Sequence, residues 1–569
     1  MPPQQRLLSH IFIRVDGTDL EPQLMDDLTQ VTVDSNLHLP DMFVIRVHDE
    51  SLEHIDRGPF ALGAAVEIGV RDDENRSEEK LIVGEITALE PDFEQGTQAM
   101  LTVRGYDRSH RLHRGTHVQA FTQVTDSDMA SRIAQDVGLR ADVDATSQIY
   151  EHVLQDNQTH MAFLRGRAER IGYEVYAREQ TLYFKRAGSA SSGSALQLEW
   201  GDQLQAFHPR MTLAEQVDEV VVKGWDPKTK TEITGSATRS QARPEIGESS
   251  SGGSLASNAF GEGKRMVVNR SVSSQAEADA VAQALLDEID GAFVEADGTC
   301  IGTPTLKAGT EVELSALGQK LSGTYYVTAA THLYRADGDY RTEFTVTGRR
   351  PETLGRLLGK RPDTASERWS GVAIAIVTNN NDPEGQGRVK LKYPWMADDV
   401  ESGWARVAGT GAGSERGLYC LPEVNDEVLV AFEHGEVNRP LVISGLWNGV
   451  DAPPVPVGEA IQNGNVHTRA FKTRSGHTLT FVDDSEGKVE LQTAGGHRLT
   501  LDDQNSAVQI ETSGGITVNL DDSNGGVTIQ CSGKLQIEAQ QDIALKAGTN
   551  MNLEASGQVV IRGATIDLN

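Results

Sequence analysis

Few side chains in this 569-residue chain have types and spacings that suggest chemistry, and each has a plainer reading. His110, His113 and His117 have a spacing that suggests a metal site. They lie in Arg108-Ser109-His110-Arg111-Leu112-His113-Arg114, where neighbouring cations oppose metal binding. Gly409-x-Gly411-x-Gly413 lacks the Lys-Ser/Thr of a phosphate loop and opens no evident helix, so it reads as a turn. Asp502-Asp503-Gln504-Asn505 and Asp521-Asp522-Ser523-Asn524 hint at calcium, but the distal bidentate Glu is missing, and Asx hairpin turns account for them. Residues 370–449 hold six Lys/Arg against eleven Asp/Glu, the wrong balance for an oligonucleotide-binding face. The sequence therefore predicts no catalytic, cofactor-binding or metal residues, no cofactor, and a protein that is not an enzyme.

What remains is a pattern that carries structure. From Gly476 to Asn569 ten apolar pairs occupy positions i and i+2, from Leu479/Phe481 to Val559/Ile561. Residues two apart in a strand share one face, so each unit is a short strand with one apolar side. The first six pairs recur every nine or ten residues. From Val527 the interval is eight, and a small third residue joins each row: Ala539, Ala547, Ala555 and Gly563. A single-chain β-solenoid coil needs about twenty residues or more. An octad must therefore meet the same octad from other chains, and three copies would close a prism. Its core would be Leu535, Ile537, Ile543, Leu545, Met551, Leu553, Val559 and Ile561, with Lys534, Gln536, Glu538 and Lys546 outside. A charge at Leu545 is expected to break that association, because it would be buried at the axis. The alternatives are one chain folding three octads into each solenoid coil and a simple surface meander, against which the eight-residue register held through four consecutive units speaks.

Upstream, composition and periodicity divide the chain. Residues 1–120 alternate as strands suited to a first β-barrel, and 121–195 form an α/β insert with helices over Asp126 to Val137 and Asn157 to Ile171. Residues 196–350 form a second barrel with a capping box at Ser274-x-x-Glu277. Within it, 226–263 is polar and rich in Gly, Ser and Thr and reads as a mobile excursion. A charged connector (351–368), a five-strand OB-type barrel (369–450), a linker (451–474) and the tail (475–569) follow. The fold class is mainly β. The net charge of −31 disfavours nucleic acid and anionic membrane surfaces as binding partners. Three scattered cysteines give no disulfide framework, and the N-terminus lacks the apolar core of a signal peptide, which suits assembly in the cytoplasm.

The order of parts resembles the VgrG-type spike of contractile injection systems, a phage tail hub fused to a baseplate-V/OB domain and a β-helical spike. The most specific residues are Asp382-Pro383-Glu384-Gly385-Gln386-Gly387-Arg388, Trp404-Ala405-Arg406-Val407, Leu421-Pro422-Glu423-Val424-Asn425-Asp426-Glu427 and Asn438-Arg439-Pro440 through Gly449. In the hub half they are Phe163-Leu164-Arg165, Ala168 through Tyr173, Gly323-Thr324-Tyr325-Tyr326-Val327 and Thr331-His332. The resemblance implies a homotrimer whose six hub barrels adapt a hexameric inner tube to a threefold needle. It also implies baseplate contacts, puncture of the target membrane on sheath contraction, and effector delivery. Residues 451–467 leave no room for the lysozyme domain some tail spikes carry, and no effector domain is expected after the tail. No histidine follows His497 to build a tip metal site, so a PAAR-like cap protein is expected on Ile566, Asp567, Leu568 and Asn569. The chain's compactness favours an extracellular phage-tail-like particle over a type VI secretion machine or a phage. The alternative class is a polysaccharide-degrading or receptor-binding tail fibre.

Overall fold

A computed structural model of the protein describes residues 9–72, 77–95, 98–187, 195–241, 245–348, 369, 371–396, 400–483 and 487–567. The connector expected at 351–368 lies outside them. The chain forms two compact units, Met1–Leu446 and Trp447–Asn569.

In the first unit the alternating apolar residues of the N-terminal strands fill a core around Ile13, Phe43, Ile45, Ile68 and Val103. A second core, around Leu204, Val294, Tyr325 and Phe344, serves the later strands. One eleven-stranded sheet carries both sets. The seam is the antiparallel pairing of Ala329–Arg335 with Leu28–Asn36, which sets Thr331 opposite Asp34 and His332 opposite Val33. Thr331 Oγ1 donates to Asp34 Oδ1 at 2.6 Å across it.

The insert packs two helices on a three-stranded sheet around Leu112, Ile133, Leu164 and Phe184. Helix α1 (Asp126–Asp136) opens on a complete capping box between Thr125 and Asp128, and Gly138 follows it at φ +74°. Helix α2 spans His160–Ile171, with Gly172 as its left-handed cap. It starts later than the periodicity predicts, because Tyr150–Gln158 is a strand paired with His117–Val124. Thr159 then caps the helix by accepting from the Ala162 N–H at 3.1 Å.

The mobile excursion expected over 226–263 is instead folded. It contains the strand Thr231–Ala237, a short pairing at Glu245–Ile246 and helix α3 (Gly252–Phe260). Its glycines serve close packing rather than freedom. A Cβ on Gly235 would lie 2.3 Å from the Ala278 carbonyl carbon, and one on Gly253 would lie 2.3 Å from the Val217 oxygen. Ala278 belongs to helix α4 (Gln275–Gly291). Ser274 caps α4 by accepting from the Glu277 N–H, but the Glu277 carboxylate turns to the Ser273 N–H instead of closing the box.

The OB unit is a five-stranded barrel in the order Lys390–Lys392, Val372–Asn379, Glu427–Phe432, Pro440–Gly445, Arg406–Val407. A bridge between Val389 and Ala405 joins its two outer strands. Its core holds Ala375, Val377, Leu391, Tyr393, Val428 and Val430.

In the second unit, seven strands run as an antiparallel meander from Thr468–Lys472 to Gly526–Gln530. Beyond Gln530 the described residues form no strand.

Candidate functional site

The tail's apolar pairs stand in register. Leu479 faces Leu491 and Phe481 faces Val489; further along, Leu499 faces Ile510 and Val518 faces Ile529. One face of the meander is thus a continuous apolar surface, open to solvent among the described residues: Phe481, Leu491, Leu501, Ile510 and Leu520 are exposed. An exposed apolar surface of this length is the mark of an interaction face. The eight predicted core residues Leu535, Ile537, Ile543, Leu545, Met551, Leu553, Val559 and Ile561 are exposed too, Leu545 by 68%. They join no ladder among the described residues. At the tip Ile566 is exposed and Asp567 is described, while Leu568 and Asn569 lie outside the described residues.

Turn chemistry fixes the meander's edges. Thr473, Thr493 and Thr512 each accept, through Oγ1, the N–H of the residue four further on, namely His477, His497 and Ile516. At the opposite edge Asp502 accepts from the Asn505 N–H and side-chain amide, and Asp521 accepts from Ser523 and Asn524. These donors hold both carboxyls below the ordinary range. The Asp-rich repeats are therefore Asx turns.

The motif residues of the first unit are joints and turns. Asp382 accepts from the backbone N–H groups of Glu384, Gln386 and Arg388 and from two nitrogens of the Arg388 guanidinium. Arg388 first, then the backbone donors, hold this carboxyl far below the ordinary range. Arg388 also lies 5.8 Å from the Trp404 ring centroid. Asn438 Oδ1 accepts the Leu154 N–H at 2.7 Å, and Leu154 itself is buried in the OB core. His152 bonds the Glu401 carbonyl at 2.6 Å, and Trp369 Nε1 donates to Asp156 at 2.5 Å. The insert strand Tyr150–Gln158 is thus stitched into the OB barrel. Tyr326 ties the second barrel to the insert by donating to Glu174 at 2.9 Å.

Helix α2 is the meeting point. Arg165 donates to the His38 carbonyl of the first barrel, and Arg167 pairs with the buried Asp126 at 2.6 Å. Arg170 pairs with Glu277 of α4 at 2.7 Å and with Glu436 of the OB unit at 3.5 Å. Burial opposes the charge on Arg170, but Glu436 and Glu277 overcome it and raise its pKa. Sequence reading missed this triad. Its only trace is the run of arginines at 165, 167 and 170 on one short helix.

The candidate metal histidines go separate ways. His110 bonds Glu85 at 3.1 Å. His113 is held down to about 4 by burial, with Arg165 and His110 adding to it. His117 stacks on His160 with ring centroids 3.7 Å apart. Gly411, at φ +71°, sits in a turn closed by Ala412 N–H to Gly409 O. Cys300, Cys420 and Cys531 are all free thiols.

Comparison with known proteins fits this architecture. Residues 8–335 match the family model described as the Alg8 N-terminal domain, more than half of the chain. The chain belongs to this family. Residues 373–447 match the type VI secretion system/phage-baseplate injector OB domain. The chain is 26% identical over 148 residues to the actin cross-linking toxin VgrG1 of Vibrio cholerae, a match covering 24% of this chain and 13% of that protein. It is 28% identical over 163 residues to the type VI secretion system spike protein VgrG5 of Pseudomonas aeruginosa, covering 27% of this chain and 20% of that one. The matches thus span at most a fifth of these relatives' length. A chain in the structure of a Francisella PdpA–VgrG complex has the same fold, with a TM-score of 0.53 at 9% identity over 92% of this chain and 88% of that one. These matches agree with the resemblance read from the motifs: the chain is mainly β, its sequence carries the injector OB domain after the hub-like strands, and its fold is that of a chain in a VgrG complex.

Proposed function

We propose that three copies of this VgrG-type spike assemble into the central hub and needle of a contractile injection machine, with a structural rather than catalytic role. The carrying observation is the tail, whose octads from Leu535 to Ile561 expose their aliphatic pairs and join no ladder among the described residues. Burying each such side chain is worth about 1.5–3 kcal/mol, so rows on three chains meeting at one axis make a stiff rod. Unpaired strand edges close in the same step. The hub strands of three chains adapt a hexameric inner tube to threefold symmetry and seat against baseplate proteins. A PAAR-like cap covers Ile566 to Asn569. The assembly forms in the cytoplasm, works in a particle released from the cell, and is driven through the target envelope with its effectors when the sheath contracts.

The test is genetic. Deleting this chain in its source cell should remove inner-tube protein from purified sheathed particles and abolish their activity on target cells. A chain lacking residues 475–569 should fail to restore either. Normal particles without the chain would overturn the proposal. Polysaccharide hydrolysis by the purified chain would favour the tailspike alternative instead.

A further inference from the structure

The tail contains two kinds of strand, and the difference dictates an order of assembly. From Thr468 to Gln530 every strand has its partners in the same chain, in antiparallel registers that run without a bulge. Successive turns also bond one another. The Ala494 N–H donates to His477 Nδ1 at 3.2 Å, and the Ser513 N–H donates to His497 Nδ1 at 3.3 Å. On the other edge the Asp503 N–H reaches the Gly487 carbonyl and the Asp522 N–H reaches that of Ser506, both at 2.9 Å. Among the described residues this half pairs its strands within the chain and leaves two demands, the cover of its aliphatic face and the outer edges of Thr468–Lys472 and Gly526–Gln530.

The octads after Gln530 are the reverse case. No backbone ladder forms there among the described residues, and the side-chain bonds are local, from Lys534 to Gln536 at 2.7 Å and from Gln536 to Glu538 at 3.2 Å, while the aliphatic pairs stay exposed. The repeat length explains the change. Five-residue strands at intervals of nine or ten leave four or five residues for a turn such as Thr493 to His497, whereas an octad leaves three. The shorter unit forgoes the Thr-x-x-Gly turn and the reversal it makes.

We infer that the meander Thr468–Gln530 is a preformed trimerisation surface for two further copies of this chain, and that the octads wind together only after three such faces have met. The inference rests on the threefold reading above. Docking three ordered walls costs little chain entropy, whereas bringing three unstructured octad segments into register costs much more. Once the walls meet, they set the height of every octad, and winding proceeds from Gly533 towards the tip. This shifts the expectation for Leu545: a charge there should disorder the distal rod without separating the chains.

Two substitutions in the full-length chain test it, each read by light-scattering mass and peptide-level amide exchange. Leu545→Asp should keep the three-chain mass and the slow exchange of 468–530, while 533–567 exchange at least tenfold faster than in the wild type. Leu501→Asp, on the exposed face of the meander, should give single chains. In those, 468–530 should still exchange at least tenfold more slowly than 533–567. Single-chain mass for Leu545→Asp would overturn the inference, as would equal exchange of the two halves in the Leu501→Asp chain. A wild-type chain of single mass with slow exchange throughout would remove the threefold reading itself.

Discussion

Replacing Arg170 with methionine should lower the stability of the first unit by about 3 kcal/mol, the low end of the cost of breaking a buried ion pair. The geometry sets the size. The Glu277 side chain is only 4% exposed, so losing its cation strands a carboxylate that solvent cannot reach, while Glu436, at 21%, is relieved in part by water. The loss should be visible as a lower midpoint of the first transition in thermal or urea unfolding. Because α4 and the OB turn lose the same partner, the OB barrel should also become more accessible to proteolysis. Adding Glu277→Gln and Glu436→Gln to Arg170→Met should recover most of the loss, since no charge is then left unpaired. A loss below about 1 kcal/mol would place Arg170 with ordinary surface ion pairs and remove its role as the joint.

Asp382→Ala should cost the OB barrel about 3 kcal/mol or more, by freeing three loop N–H groups and leaving the Arg388 guanidinium to the weaker pairing with Glu384, 3.5 Å away. Arg388 and Asp382 are 9% and 3% exposed, so water replaces little of what is lost. The pH dependence has a definite sign. A carboxyl whose folded pKa is depressed contributes in full above its unfolded value, about 4, and its contribution disappears only as pH falls through the lower folded value. The difference between wild type and Asp382→Ala should therefore stay constant from about pH 8 to about pH 5 and shrink only under strong acid. Asp382→Asn, which keeps an acceptor but gives up the charge, should fall between the two. A difference that already closes near pH 5 would mean that the carboxylate is not held by Arg388.

How much of this could be read from residues alone differs by region, for physical reasons. The tail was legible because strand side chains alternate, so Leu499/Leu501 and Val508/Ile510 announce a one-sided strand without any knowledge of the fold. Its change of interval at Val527 also marks where self-pairing ends. The OB loop was legible as a motif, but its cause, one carboxylate collecting three backbone donors and a guanidinium, needed coordinates. Residues 226–263 misled because Gly and Ser suit disorder and close packing alike, and only the approach of Ala278 to Gly235 separates the two. The start of α2 was placed too early because Asn157, a residue type that also caps helices, instead sits at φ +49° in an irregularity of the strand Tyr150–Gln158. The Arg170 triad was invisible because Glu277 lies 107 residues away along the chain. The histidines at 110, 113 and 117 share a spacing in sequence, but His110 bonds Glu85, His113 is buried near Arg165 and His117 stacks on His160.

The central claim is that the tail is closed by sister chains, and native mass spectrometry of the intact purified protein addresses it most directly. A dominant species at three times the 61.7 kDa chain mass is expected. A stable, soluble species at the mass of one chain, with its tail folded and resistant to protease, would contradict it.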